Sequence, residues 1–239
     1  MADNLQQAME AYEQAQEIAG QATTTIHTFQ DMYDEQAAKI NTDTMLSDTG
    51  KAQKREQLNK EMANELFTKL QKDKQSYQES IVKATNRAKD ALAAPHKKPH
   101  DTDIKLHEKE VNKLKMDALM GHGGQTVMKL KQYADKIEDP YLAENFINEL
   151  PSMYERLINK NLTSQEKTSL HRIYEDMQQK AMTDEQRQAQ QILASTEGAF
   201  SRQFYNQIHN QPIAQRLGSK YAGILNRPDD FNLTEYGRK

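Results

Sequence analysis

"DNLQQAMEAYEQAQEIAGQATTTIHTFQDMYDEQAAKI", residues 3–40, carries apolar side chains on a seven-residue repeat. Leu5, Tyr12, Ala19, Ile26, Tyr33 and Ile40 form one set of core positions; Ala8, Ala15, Ala22, Phe29 and Gln36 form the other. Spacings of three and four alternate throughout, and only Gln36 is neither apolar nor aromatic. A pattern kept over five repeats predicts a long helix with one continuous packing seam. Gly20 and the Thr23-Thr24-Thr25 run lower helix propensity and mark a bend.

Outward from this stretch, "NTDTMLSDTG" at 41–50 collects Asn, Asp, Ser, Thr and Gly and reads as a loop. A second periodic stretch runs from Lys51 to Ala93. Phe67, Ile81 and Ala88 fall on one set of core positions, with Lys74 as the exception, and Ala63, Leu70, Tyr77, Ala84 and Ala91 fall on the other. Each helix of roughly 40 residues would run about 60 Å. Residues 1–50 hold nine acids against one base, Lys39, whereas 51–98 hold twelve bases against six acids. Opposite charge on consecutive helices favours an antiparallel hairpin. Single exposed pairs are worth only a few tenths of a kcal/mol, so the asymmetry speaks to orientation more than stability.

The whole composition agrees. The 239 residues are 36% apolar and 28% charged, with six prolines and nine glycines, and mean hydropathy is −0.97. Compact globules usually approach roughly 45–50% apolar, so elongated helices fit better than strands and turns. The absence of cysteine excludes disulfides, thiolate metal sites and a cysteine nucleophile. The N-terminal residues lack a secretory signal pattern, and no stretch is apolar enough to span a bilayer. The Asn161 and Asn232 sequons are read as chance, and the expected location is a soluble, cytoplasmic one.

"ALAAPHKKPHDTD", residues 91–103, stops the second helix at Pro95 and Pro99. The expected organisation is a long helical hairpin over 1–94, a linker over 95–102, a compact helical domain over 103–225 and a flexible tail over 226–239. Within the domain, helices are expected at 103–120 and 125–138. Asp139-Pro140 opens "PYLAENFINEL", and Pro151 separates it from "PSMYERLINKN". The capping sequences at Thr163–Glu166 and Thr183–Gln186 open two more helices. The second is expected to be long, carrying Ile192, Leu193, Phe200, Phe204 and Ile208, and Pro212 begins a last helix reaching Leu225. The fold class is all-α.

Chemistry is harder to find. Gly121-His122-Gly123-Gly124 lacks the lysine of a phosphate loop, because Gln125-Thr126 follows it, and lacks the preceding strand of a dinucleotide fingerprint. It reads as a left-handed glycine cap and a hinge between helices. His96, His100, His107 and His122 cluster in sequence, but Pro99 breaks the spacing and lysines surround them, so they read as solvated linker histidines. His171 and Glu175 read as a surface pair. No residues form a catalytic, cofactor-binding or metal-binding arrangement. "KKPHDTDIKLHEKEVNKLK", residues 97–115, interleaves acids with its lysines and has no aromatics, which disfavours nucleic acid. In the tail "NRPDDFNLTEYGRK", Phe231, Leu233 and Tyr236 are apolar anchors suited to a partner's groove.

Protein–protein assembly is what remains. The Gln-rich helices through 3–93, the Pro-His-Lys linker at 95–100 and the all-helical remainder resemble the DotY-like accessory subunits of Dot/Icm type IVB secretion coupling complexes. That resemblance implies a non-enzymatic cytoplasmic adaptor without cofactors. It would be recruited to the inner membrane by a membrane-anchored coupling ATPase and its adaptors, and would help recruit effectors. The alternatives are a bacteriophage scaffolding protein, which would self-associate through 3–93, and a nucleic-acid-binding module with steeply salt-dependent binding.

Overall fold

A computed structural model describes residues 2–231. In chain order the helices are α1 (Ala2–Gly20), α2 (Ala22–Thr42), α3 (Asp48–Leu92), α4 (Asp101–Met120), α5 (Gly123–Lys136), α6 (Pro140–Ile158), α7 (Ser164–Lys180), α8 (Asp184–Thr196), α9 (Gln207–Arg216) and the single turn α10 (Ser219–Ala222). Among the described residues there is no strand, and the fold is all-α. No described helix is long and apolar enough to cross a membrane.

The long N-terminal hairpin is present. The seven-residue seam of 3–40 is broken only at Gln21, beside Gly20, so the first arm is the bent pair α1–α2. Leu5, Ala8, Ala15, Ala22, Ile26 and Phe29 are buried along it, and Gln36 is exposed. The return arm, α3, is one helix of 45 residues, about 68 Å long. Lys51 donates to the Asn41 carbonyl, Tyr33 donates to Asn59 at 2.7 Å, and Arg87 donates to Asn4 at 3.4 Å. Partners that climb one arm as they descend the other make the pairing antiparallel. The turn is shorter than the expected 41–50, because Asp43 accepts from the Met45 N–H and Ser47 from the Gly50 N–H, which starts α3 at Asp48.

Chain folding divides the molecule differently from the expected single boundary at 95–102. Among the described residues, one unit joins 3–89 to 191–231, and the other comprises 90–190 together with Ala2. In the first, Phe29, Leu58, Met62, Phe67 and Leu70 share a core with Tyr205, Ile213, Leu217, Leu225 and Phe231. A two-helix seam buries too little apolar surface alone, and the C-terminal segment supplies the missing layer. The long helix expected after Thr183 therefore stops at Thr196. Gly198, at φ 72°, turns the chain left-handed, and residues 202–206 run without helix to the Asn206 cap of α9. Pro212 lies inside α9 and does not begin a helix.

The 90–190 unit packs α4, α5, α6 and α7 around Phe146, Leu150, Met153, Leu157, Leu130 and Met177. Asp139 caps α6 with Pro140 at its first turn, and Thr163 with Glu166 forms the capping box of α7. Pro151 does not divide α6. Its ring is exposed while Leu150 and Met153 on either side are buried, so the missing N–H falls on the wet face and the apolar stripe runs through. Residues 92–96 are held within this unit. The buried Gln186 amide donates to the carbonyls of Leu92 and Ala94 at 3.1 and 3.3 Å, and His96 lies 3.5 Å from Glu144.

Candidate functional site

The glycine turn is a packing device. Lys160 donates to the carbonyls of Leu119 and Gly121 at 3.0 and 2.8 Å, and Thr126 donates to those of Asp117 and His122. The carbonyls at the end of α4 are thereby satisfied inside the chain. A Cβ on Gly121 would lie 2.7 Å from the Asp117 carbonyl oxygen, one on Gly123 would lie 2.7 Å from Leu162, and one on Gly124 would collide with Glu166. Gly121 is extended, at φ −81° and ψ 178°, so the expected left-handed cap is absent. Gly121 is required by the carbonyl of its own helix, and Gly123 by the close approach of Lys160 and Leu162 in the α6–α7 connection.

The histidines do not converge. His107 is buried and its Nδ1 lies 2.8 Å from the Tyr133 hydroxyl; His96 is also sequestered, with only 8% of its side chain exposed. These two are therefore not solvated linker residues: Tyr133 of α5 and Phe146 of α6 pack on His107, and Glu144 of α6 lies beside His96. Burial pushes the Tyr133 phenol up to about 12 and depresses His107. His171 and Glu175 form an exposed pair at 3.2 Å. Among the described residues no three His, Asp or Glu side chains gather as metal ligands.

Of the tail anchors, Phe231 is already used: it is 4% exposed and lies in the core of its own unit. It is not a free docking residue, because Phe67 and Tyr221 offer it an aromatic slot. Leu233 and Tyr236 lie outside the described residues.

A concave, partly apolar surface runs along α2 and α3. Thr23 and Asp34 face one flank of α2, where Thr23 meets His209 at 3.0 Å and Asp34 takes a two-pronged bond from Arg216. Thr25, Thr28, Met32 and Gln36 recur every three or four residues on the opposite flank. There two cavities of about 460 and 540 Å³ open, both bordered by Met32. The first is floored by Phe29, Met62 and Leu66, and the second by Leu58 and Ile40. Met32 itself is 37% exposed. Together they follow α2 from Gln21 to Ile40, about 30 Å at ~1.5 Å per residue.

This groove was missed by the seam assignment, which put α3's core at 63, 67 and 70. The missed signal was Leu58, Met62 and Leu66, spaced four apart as a second apolar stripe. In comparisons with known proteins, no family model matches the chain, and neither does any curated protein or solved structure.

Proposed function

We propose that this protein is a non-enzymatic helical adaptor, a subunit of a larger protein assembly that receives an amphipathic partner helix along the α2–α3 groove. The carrying observation is the groove itself. An apolar floor of Phe29, Met32, Met62 and Leu66 lies between polar side chains of α2, among them Thr24, Thr25 and Thr28, and Glu65 and Lys69 of α3, the kind of lining that helix-in-groove recognition uses. Methionine suits such a floor because its flexible thioether adapts to different knobs.

The assembly we favour is a bacterial type IV secretion coupling complex, with a membrane-anchored coupling ATPase and its adaptors as partners and effector recruitment as the task. The Gln-rich helical arms and Pro-His-Lys segment support that choice. The bacteriophage scaffolding alternative calls for self-association through 3–93. It is less favoured because residues 205–231 of the same chain supply that hairpin's third layer.

The test is affinity purification of the tagged protein at native level, comparing wild type with Met32→Asp by mass spectrometry. Co-elution of a coupling ATPase and adaptors that is lost in the variant is the expected result. Capsid or portal proteins would establish the scaffolding alternative, and recovery of the protein alone would overturn the adaptor reading.

A further inference from the structure

The rims of the groove carry three acids, Glu35, Glu61 and Glu65, and three bases, Lys39, Lys54 and Lys69, but these are unevenly paired. On the α2 side, Glu35 is bonded to Lys39 at 2.6 Å. On the α3 side, Lys69 gives both its short bonds to Asp73, at 2.5 and 2.6 Å, although Glu65 stands four residues before it. Lys54 at the far end approaches Asp43. Every base on the rims is thus directed along its own helix or toward the hairpin turn.

Two acids are left. Glu61 accepts only from the Gln57 amide, at 2.8 Å, and among the described residues no base pairs with Glu61 or Glu65. They are four residues apart on one face of α3, where like charges repel by a few tenths of a kcal/mol. Between and below them lie Met62, Leu58 and Leu66.

Resting on the adaptor reading, we infer that the groove selects a basic amphipathic helix of about 20 residues. Its apolar stripe sits on Phe29, Met32, Met62 and Leu66, and an arginine or lysine from its flank bridges Glu61 and Glu65. A bridging cation converts an internal repulsion into two attractions, modest ones because both carboxylates are exposed. An acidic helix of the same apolar pattern would add to the repulsion and be rejected.

The experiment uses the full chain and two synthetic 20-residue peptides with identical leucine stripes, one with arginine flanks and the other with glutamate flanks. Fluorescence anisotropy gives each Kd. The arginine peptide should bind and the glutamate peptide should bind at least roughly fivefold more weakly. Glu61→Lys with Glu65→Lys should reverse that order, whereas Glu13→Gln with Glu17→Gln, exposed on α1, should leave it unchanged. Equal binding of both peptides, or a preference untouched by the Glu61/Glu65 exchange, overturns the charge rule while leaving the groove standing. Failure of both peptides to bind overturns the adaptor reading along with it.

Discussion

Phe231 stacks on Phe67, with ring centroids 4.6 Å apart and planes 8° from parallel. Phe67 is fully buried on α3, so this contact ties the C-terminal segment to the middle of the hairpin. Phe231→Ala should therefore destabilise the unit by about 3–5 kcal/mol. Urea melts followed by far-UV circular dichroism measure this. A tail anchor waiting for a partner would give an unchanged midpoint.

The glycine turn makes the opposite prediction for ligand and for sequence. Gly121→Ala places a methyl 2.7 Å from a backbone oxygen that cannot swing aside, costing about 1–3 kcal/mol. Added ATP should leave the melting temperature of wild type unchanged, since the Gly121 and Thr126 N–H groups already donate to the Asp117 and His122 carbonyls and no phosphate-loop lysine follows the glycines. An ATP-dependent rise would sink the packing explanation.

Acid should weaken the fold near neutrality. His209 accepts the Asn206 N–H at Nδ1 and meets the Thr23 hydroxyl at Nε2, so protonation costs it the cap of α9. Burial and then His27 hold His209 below the ordinary 6.5, and burial does the same for His107. Above 6.5 both are neutral in either state. As pH falls from 6.5 toward the depressed folded values, the unfolded chain binds protons first and stability is lost. The melting temperature should drop between pH 7.5 and 5.5, and His209→Gln should flatten part of that slope. A slope of the other sign would contradict the neutral-histidine assignment.

Gln186 offers a local test. Its buried amide holds the Leu92 and Ala94 carbonyls, and removing it as Gln186→Ala strands them at a cost of about 1–3 kcal/mol. Hydrogen exchange should accelerate at residues 92–96 more than in α6. Unchanged exchange there would mean that the segment is held by something else.

What the sequence disclosed follows the range of the forces involved. The seam of 3–40 was readable because neighbours on one helix face are three and four residues apart, and Asp139, Thr163 and Thr183 were readable because caps act within one turn. The Phe67–Phe231 stack was not, since its partners are far apart in the chain and nothing local distinguishes a buried phenylalanine from an exposed anchor. Pro151 misled for a related reason: a proline breaks a helix or rides on its wet face according to what packs on the other side. The α2–α3 groove was not read. Leu58, Met62 and Leu66 form an extra apolar stripe in the sequence that the seam assignment passed over, and only the placement of Thr23 and Asp34 against 206–216 reveals which flank of α2 is left open.

The most direct test of the partner-helix account is site-specific photocrosslinking in cells, with a photoreactive residue at position 32 in the groove and, separately, at the exposed position 13 on α1. The account predicts an adduct at position 32 alone, whose crosslinked peptide belongs to a basic amphipathic helix of another protein. A partner that crosslinks at position 13 but not at 32 would contradict it.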